Sequence, residues 1–236
     1  IGDWVMGVDR GTGKQIGLGH DDKTGVYFCL QALKRFKNIK VFFPLDEEVG
    51  CVGSRAGQRA FFDNVGFMLQ LDRRGKGDIS TSSNGNDLLT DEMQEYLQPV
   101  LDKHEYKFTR TISTDVGFLV GATDIQGTNV SCGYYNEHTN EEVLNVLHYL
   151  NAEAFGLALL SKTSGKKYTI EQKKYVPPVY TKPNYSTNSS VGQPLNVVKG
   201  GKAKSTNDNT YLLDRTLMDE DKDEMDTFVG EPQYIS

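Results

Sequence analysis

The sequence is short of the features that sort proteins most quickly. It has three cysteines in 236 residues, Cys29, Cys51 and Cys132, an odd number without zinc-ribbon spacing. A disulfide scaffold is excluded, and a reducing, cytoplasmic setting is expected in which the thiols act as small apolar groups. No run of about 18 apolar residues occurs, which removes a candidate membrane-spanning helix. Positive charge is in deficit: 26 Lys and Arg against 32 Asp and Glu leave a net charge of −6. General nucleic-acid binding is therefore not expected. The first residues lack the basic-then-apolar order of a secretory leader. The chain opens on Ile1 as if inside a domain, so a fragment or a processed product is expected. Internal repeats are also lacking.

Proline is scarce early and common late. Pro177, Pro178, Pro183, Pro194 and Pro232 are five of the seven prolines. They lie among Asn, Ser and Lys, ahead of or around the acidic run MDEDKDEMD at 218–226. The composition shift divides the chain into a partial catalytic domain over 1–165 and a mostly disordered tail over 166–236. Within that tail, TYLLDRTLM (210–218) reads as a short docking helix or strand.

What is present in the first part is an alternation of strand and helix patterns. WVMGV (4–8) and KQIGLG (14–19) flank RGTG as a hairpin. Val26, Cys29, Leu30, Leu33 and Phe36 fall at helical spacing over 24–37. IKVFFP (39–44) is a continuous apolar run, as in a strand covered on both faces. A short helix is expected over 54–62 and a strand over 65–71. Thr90 caps a helix with Asp91 and Glu92 in its first turn. Strands are expected at Tyr106–Thr109, Val116–Val120 and 128–132. Thr139 and Glu142 form a capping box that opens a last helix running to about Leu160. This order specifies an α/β fold: a mostly parallel, mixed sheet flanked by helices in three layers. In such folds functional groups gather beyond the carboxyl ends of strands.

Polar clusters occur at just those places. His20, Asp21 and Asp22 follow KQIGLG; Asp46, Glu47 and Glu48 follow IKVFFP; Asp72 follows VGFMLQ; Glu137 and His138 follow TNVSC. Three adjacent carboxylates repel one another, and burying them costs several kcal/mol unless a positive group is near. Four strand ends that each deliver a carboxylate or an imidazole to one sheet edge point to a cation. An oxygen-rich set with an imidazole suits Zn²⁺, Mn²⁺ or Co²⁺ better than a thiolate site would.

HDDKTG, DEEVGCVGS, LDRRG and SCGYYNEHTNEE resemble, in this order, the motifs of the co-catalytic two-metal exopeptidases. These are the M28, M42 and M20 peptidase families, which share one α/β core. The resemblance spans roughly residues 14–160. DEEVGCVGS is its most specific element and the isolated Asp72 its least. It implies that Asp21 bridges two divalent metals, zinc with cobalt or manganese as substitutes. It further implies that Glu48 and His138 bind one metal, that Asp72 binds the other, and that Glu47 is the general base. Asp22 would then lie behind the metals or at the helix N-terminus. The adjacency of Glu47 and Glu48 has a chemical reason. One carboxylate is held by a cation, while the other stays free to take a proton from the attacking water at near-neutral pH.

Two spacings refine the resemblance. The family carries a His-x-Asp pair upstream of the bridging Asp, and residues 1–20 hold none; His20 directly abuts Asp21. Either the pair lies upstream of Ile1 or one metal has been lost, and in both cases the Asp72 side is short of a ligand. The interval from Asp72 to His138 is too short for the lid domain that M20 members insert there, which favours the M28- or M42-like arrangement, with M28 first because of EEVGCVGS. The function implied is a metal-dependent, aminopeptidase-like exopeptidase acting on a peptide. The alternatives are an amidohydrolase or deacylase acting on a small amide, and a peptidase-fold binding module without catalysis. An oligomer is left open.

The remaining polar residues have plainer readings. Asp46 caps backbone, and His104 and His148 lie on helix surfaces. Asp115 and Asp124 read as turn residues, with binding of a substrate amine as the alternative for either. Arg73 and Arg74 either neutralise the acidic edge or meet a substrate carboxylate. Tyr134 and Tyr135 shape a pocket wall. Cys132 sits inside a strand and is no nucleophile. Gly11 and Gly13 belong to a hairpin turn rather than a phosphate loop.

Overall fold

The structure is a computed structural model and describes residues 2–172 together with the backbone of 211–214. In chain order the elements are β1 (Trp4–Val8), β2 (Gln15–Ile16), α1 (His20–Arg35), β3 (Lys40–Phe43) and α2 (Val52–Ala56). A single 3-10 turn, Arg59–Phe62, leads to β4 (Met68–Arg73), β5 (Asp78–Ser83), β6 (Asn86–Asp87), α3 (Asp91–His104) and β7 (Lys107–Arg110). Then follow α4 (Asp115–Thr123), β8 (Gly127–Ser131), β9 (Tyr134–Tyr135), β10 (Val143–Asn145), α5 (Val146–Thr163) and β11 (Tyr211–Asp214).

The main sheet has the order β4-β8-β5-β6, with β7 also paired to β5. It is mixed: β4/β8 and β5/β7 are parallel, while β5/β8 and β5/β6 are antiparallel. A second sheet, β2-β1-β10-β9, is antiparallel throughout. Strand β3 pairs with β11, Phe43 opposite Tyr211 and Lys40 opposite Asp214. The expected α/β architecture with flanking helices is therefore present, although its strands divide among separate sheets.

The core fills the space between the main sheet and its helices. Ile79 and Val130 from the sheet meet Leu97 and Leu101 of α3, Val120 of α4, and Phe155 and Leu159 of α5, all fully buried. Tyr106 stacks on Phe155 at a centroid distance of 3.9 Å. Its hydroxyl donates to the Ser131 carbonyl, so its burial leaves no orphaned polar group. Fixing β4 beside β8 in this way fixes the strand that carries Asp72.

Several expectations require correction. Val116–Val120 is not a strand. It lies in helix α4, started by Thr114, whose hydroxyl accepts from the Gly117 N–H at 3.2 Å. A five-residue apolar run carries no period that separates helix from strand, whereas the cap does. Thr139 and Glu142 do not open the last helix. Asn145 caps α5, and Val143–Asn145 forms β10 first. Strand β3 is not covered on both faces; only Val41 is buried. Residues 166–172, assigned to the tail, pack on the domain: the Gln126 N–H donates to the Tyr168 carbonyl, Ile125 bridges to Thr169, and Ile170 is buried. The rest of the expected tail lies outside the described residues, except that TYLLD contributes β11.

Candidate functional site

Three segments far apart in sequence meet at one edge. The first is the turn from β2 into α1. Its conformation is set by Glu142, which is 2 % exposed. One Glu142 carboxylate oxygen accepts from Leu18 N–H at 2.8 Å and Gly19 N–H at 2.6 Å, and the other from Asp21 N–H at 3.1 Å. Burial pushes this carboxyl up, but the converging N–H donors outweigh it and hold the pKa below the usual value. Glu142 thus stays ionised and clamps the backbone that presents Asp21. Asp21 and Asp22 leave helical geometry, and the peptide between them is cis. Asp22 turns inward and caps the first regular turn of α1 by accepting from Gly25 N–H at 2.9 Å.

The second segment is the acid loop between β3 and α2. Asp46 takes a left-handed backbone conformation with φ 57° and is exposed; its carbonyl accepts from Val52 N–H. Glu47 points toward the interior, where Cys51 Sγ lies 3.6 Å from its Oε1. Glu48 points to the open side. The third segment follows β9, where His138 adopts φ 61°.

These segments bring Asp21, Glu48 and His138 together. His138 Nε2 is 2.8 Å from Asp21 Oδ2 and 2.8 Å from Glu48 Oε1. One oxygen or nitrogen from each of the three lies within 4.8 Å of the others. Burial alone lowers the imidazole pKa, but the two carboxylates raise it above its ordinary value. A groove of about 490 Å³ opens over Asp21 and His138, with Gly17, Gly19 and Asn140 in its wall.

Asp72 lies close enough to Asp21 for that carboxylate to help raise its pKa. It projects where the β4/β8 register shifts between Gln70 and Arg73. Asn129 pins that irregularity: its amide oxygen accepts from Asp72 N–H at 2.9 Å and its amide nitrogen donates to the Asp72 carbonyl at 2.7 Å. Gln70 donates to Asp72 Oδ2 at 2.8 Å while its own oxygen accepts from Val116 N–H, tying Asp72 to the start of α4. Tyr134 donates to Asp72 Oδ1 at 3.3 Å.

The edge is dense in negative charge. Burial, with Asp22, Asp21 and Glu47 nearby, pushes Asp72 up to about 10. Burial is also the main cause that raises Asp22 and Glu47, with neighbouring carboxylates adding to it, and burial alone raises Asp115. Among the described residues no Lys or Arg pairs with any of them. Arg73 instead meets Asp78 at 3.6 Å, and Arg74 meets Glu137 at 3.1 Å, so neither neutralises Asp72.

This donor set fits divalent cations. Crowded carboxylates that lack a basic partner and share an imidazole supply the hard oxygen and nitrogen ligands that Zn²⁺ and Mn²⁺ take. Asp21, Glu48 and His138 would hold one ion. Asp21 and Asp72 would hold a second, and among the described residues no imidazole joins that pair. His20 does not complete it, since it does not gather with these acids in a ligand cluster; its buried Nε2 has no hydrogen-bond partner.

Sequence reasoning missed four supporting residues. Gln70, Asn129 and Glu142 orient the acids through side-chain hydrogen bonds to residues distant in sequence or to a single neighbour, which leave no periodic trace. Asp115, expected in a turn, is instead buried at the start of α4 and adds its charge to Glu47. Thr114 directly before it was the one available signal.

The mixed α/β fold is similar to that of solved aminopeptidase structures. Aminopeptidase PepT from Bacillus cereus superposes with a TM-score of 0.52 at 13 % identity, over 69 % of this chain and 75 % of that one. Aminopeptidase APDkam598 from the archaeon Desulfurococcus kamchatkensis gives 0.45 at 16 % identity, over 64 % of this chain and 51 % of that one. At such identity the likeness to PepT establishes the fold. No family model and no curated protein sequence matches the chain.

Proposed function

We propose that the chain is a metal-dependent exopeptidase of aminopeptidase type, with Asp21, Glu48, Asp72 and His138 as metal ligands and Glu47 as general base. The observation that carries this reading is the meeting of Asp21, Glu48 and His138 from three separate segments, with His138 Nε2 2.8 Å from both carboxylates. When bound, the cations supply Lewis acidity, which polarises the scissile carbonyl and makes the attacking water more acidic.

The chain's own groups do the rest. Glu47 is tied to Glu48 by the backbone and so lies beside the ligands without belonging to their cluster. Its raised pKa suits a group that takes a proton from water and returns it to the leaving amine nitrogen. Cys51 Sγ and the acid of Asp115 fix its surroundings. The groove over Asp21 and His138 is open to solvent, and the preference for an exopeptidase rests on the resemblance of DEEVGCVGS and its companion motifs.

The test starts from metal. Purified protein is loaded with Zn²⁺ or Co²⁺, freed of excess and assayed for retained metal by elemental analysis, alongside Glu48→Ala and His138→Ala. Retention by the parent and loss in both variants is expected. Retention that is equal in all three, or none in a folded parent, overturns the ligand assignment. Glu47→Gln is expected to keep the metal while hydrolysis of aminoacyl para-nitroanilides falls about 10²–10⁴-fold.

A further inference from the structure

A second cavity shares no lining residue with the groove at His138. It encloses about 200 Å³ between α2, the 3-10 turn and α4. Its apolar surface comes from Phe62 and Leu119, which are 4 % and 8 % exposed, and from Phe118. Arg55 and Arg59 stand at its rim. The Arg55 guanidinium lies 4.1 Å from the Phe118 ring centroid. Neither arginine forms an ion pair with an Asp or Glu among the described residues. Ser54 in its wall is buried and donates to the Cys51 carbonyl at 3.0 Å, and no residue of the groove at His138 lines it. The cavity is thus distinct from the groove at His138.

We propose that this cavity binds a small aromatic monocarboxylate, its carboxylate held by Arg55 and Arg59 and its ring seated against Phe62, Phe118 and Leu119. The two halves of the ligand follow from the two halves of the site. A guanidinium that rests on an aromatic face keeps its N–H edge free, and that planar fork matches a carboxylate in two parallel hydrogen bonds. Arg55, stacked in this way, and Arg59 beside it at the rim give this cavity a local sign opposite to that of a protein with net charge −6. The enclosed volume holds a single ring and little more. The lining contains no carboxylate, so a zwitterionic amino acid finds no partner for its ammonium group and binds less well than a simple acid. Substrate turnover plays no part in the inference, which stands or falls apart from the metal site.

Benzoate is the probe, with benzamide and phenylalanine as comparators, titrated calorimetrically against the full chain. Saturable benzoate binding with a dissociation constant on the order of 1 mM is expected for a ligand of this size. Benzamide and phenylalanine are expected to bind at least about tenfold more weakly. Arg55→Gln and Arg59→Gln should each weaken benzoate about tenfold or more, and Arg55→Lys should restore only part of the loss because it keeps the charge without the fork. Both arginines are exposed, and thermal melts of the variants should match the parent. Absence of saturable binding, equal binding of benzamide, or unchanged affinity in both Gln variants overturns the proposal.

Discussion

At the scale of single residues, the acidic edge holds carboxylates with opposite titration behaviour. Glu142 has a lowered pKa, so its contribution to stability is present above the ordinary carboxylate range and is lost as pH falls through its folded value. Asp72, Asp22, Glu47 and Asp115 have raised pKa values. Their contribution is fully present below the unfolded value, about 4, and is lost as pH rises, for Asp72 up to about 10. The raised groups outnumber the lowered one at this edge. The metal-free chain is therefore expected to melt at a lower temperature at pH 8 than at pH 5.5. Added Zn²⁺ should reverse the order, because ligands must be deprotonated to bind it. Thermal melts at the two pH values, with chelator and with metal, check this. A metal-free melting temperature that climbs steadily from pH 5.5 to 8 would show that the crowding is not felt. The candidate ligands themselves were legible because whole motifs carry them. Gln70 and Asn129 were not, since a buried amide that orients a neighbour looks like any other polar residue until its partner is in view.

At the scale of elements, the strongly patterned segments were legible and the short or polar ones were not. Thr90 and the apolar positions Met93, Leu97 and Leu101 define α3, and the structure buries those three while Thr90 accepts from Met93 N–H. Strand β5, DISTSS, went unseen because its alternate positions are Ser and Thr, and only its pairing with β7 and β8 makes it a strand. The Glu142 error has the same origin. A capping-box pattern is local, but its glutamate is taken by the backbone of Leu18, Gly19 and Asp21, over 120 positions away. Packing of α1 against β4 turns on Gly25. A Cβ there would lie 2.4 Å from an Asp22 carboxylate oxygen and 2.4 Å from the Leu71 carbonyl oxygen. Gly25→Ala is accordingly expected to cost about 1–3 kcal/mol, as overpacking does, and to weaken metal retention because Asp22 and Asp72 are both displaced. Urea unfolding and elemental analysis check the two effects together. A variant that matches the parent in both would show that α1 can lift from β4 freely.

At the scale of the whole molecule, the folded body is held together by returns of the chain to earlier segments. Residues 166–170 come back to Gly66, Asp124 and Gln126 through backbone bonds, and β11 comes back to β3. The composition shift near residue 165 signalled a boundary, but packing, which composition does not register, carries the body a little further along the chain. The pairing of β3 matters beyond its size. Among the described residues β11 is its sole strand partner, and β3 leads directly into the loop that carries Glu47 and Glu48. Without β11, the backbone N–H and C=O groups of Lys40–Phe43 along that edge lose their partners, and a short apolar strand with an open edge is a template for pairing with another chain. A chain ended after Gln172 keeps every core residue of the main sheet and is expected to fold. It should also self-associate in a concentration-dependent way, seen by light scattering coupled to size-exclusion chromatography, and lose metal more readily than the full chain as the Glu48 loop loosens. A truncated chain that matches the full one in mass distribution and metal retention would mean that β3 does not need β11 to hold the acid loop in place.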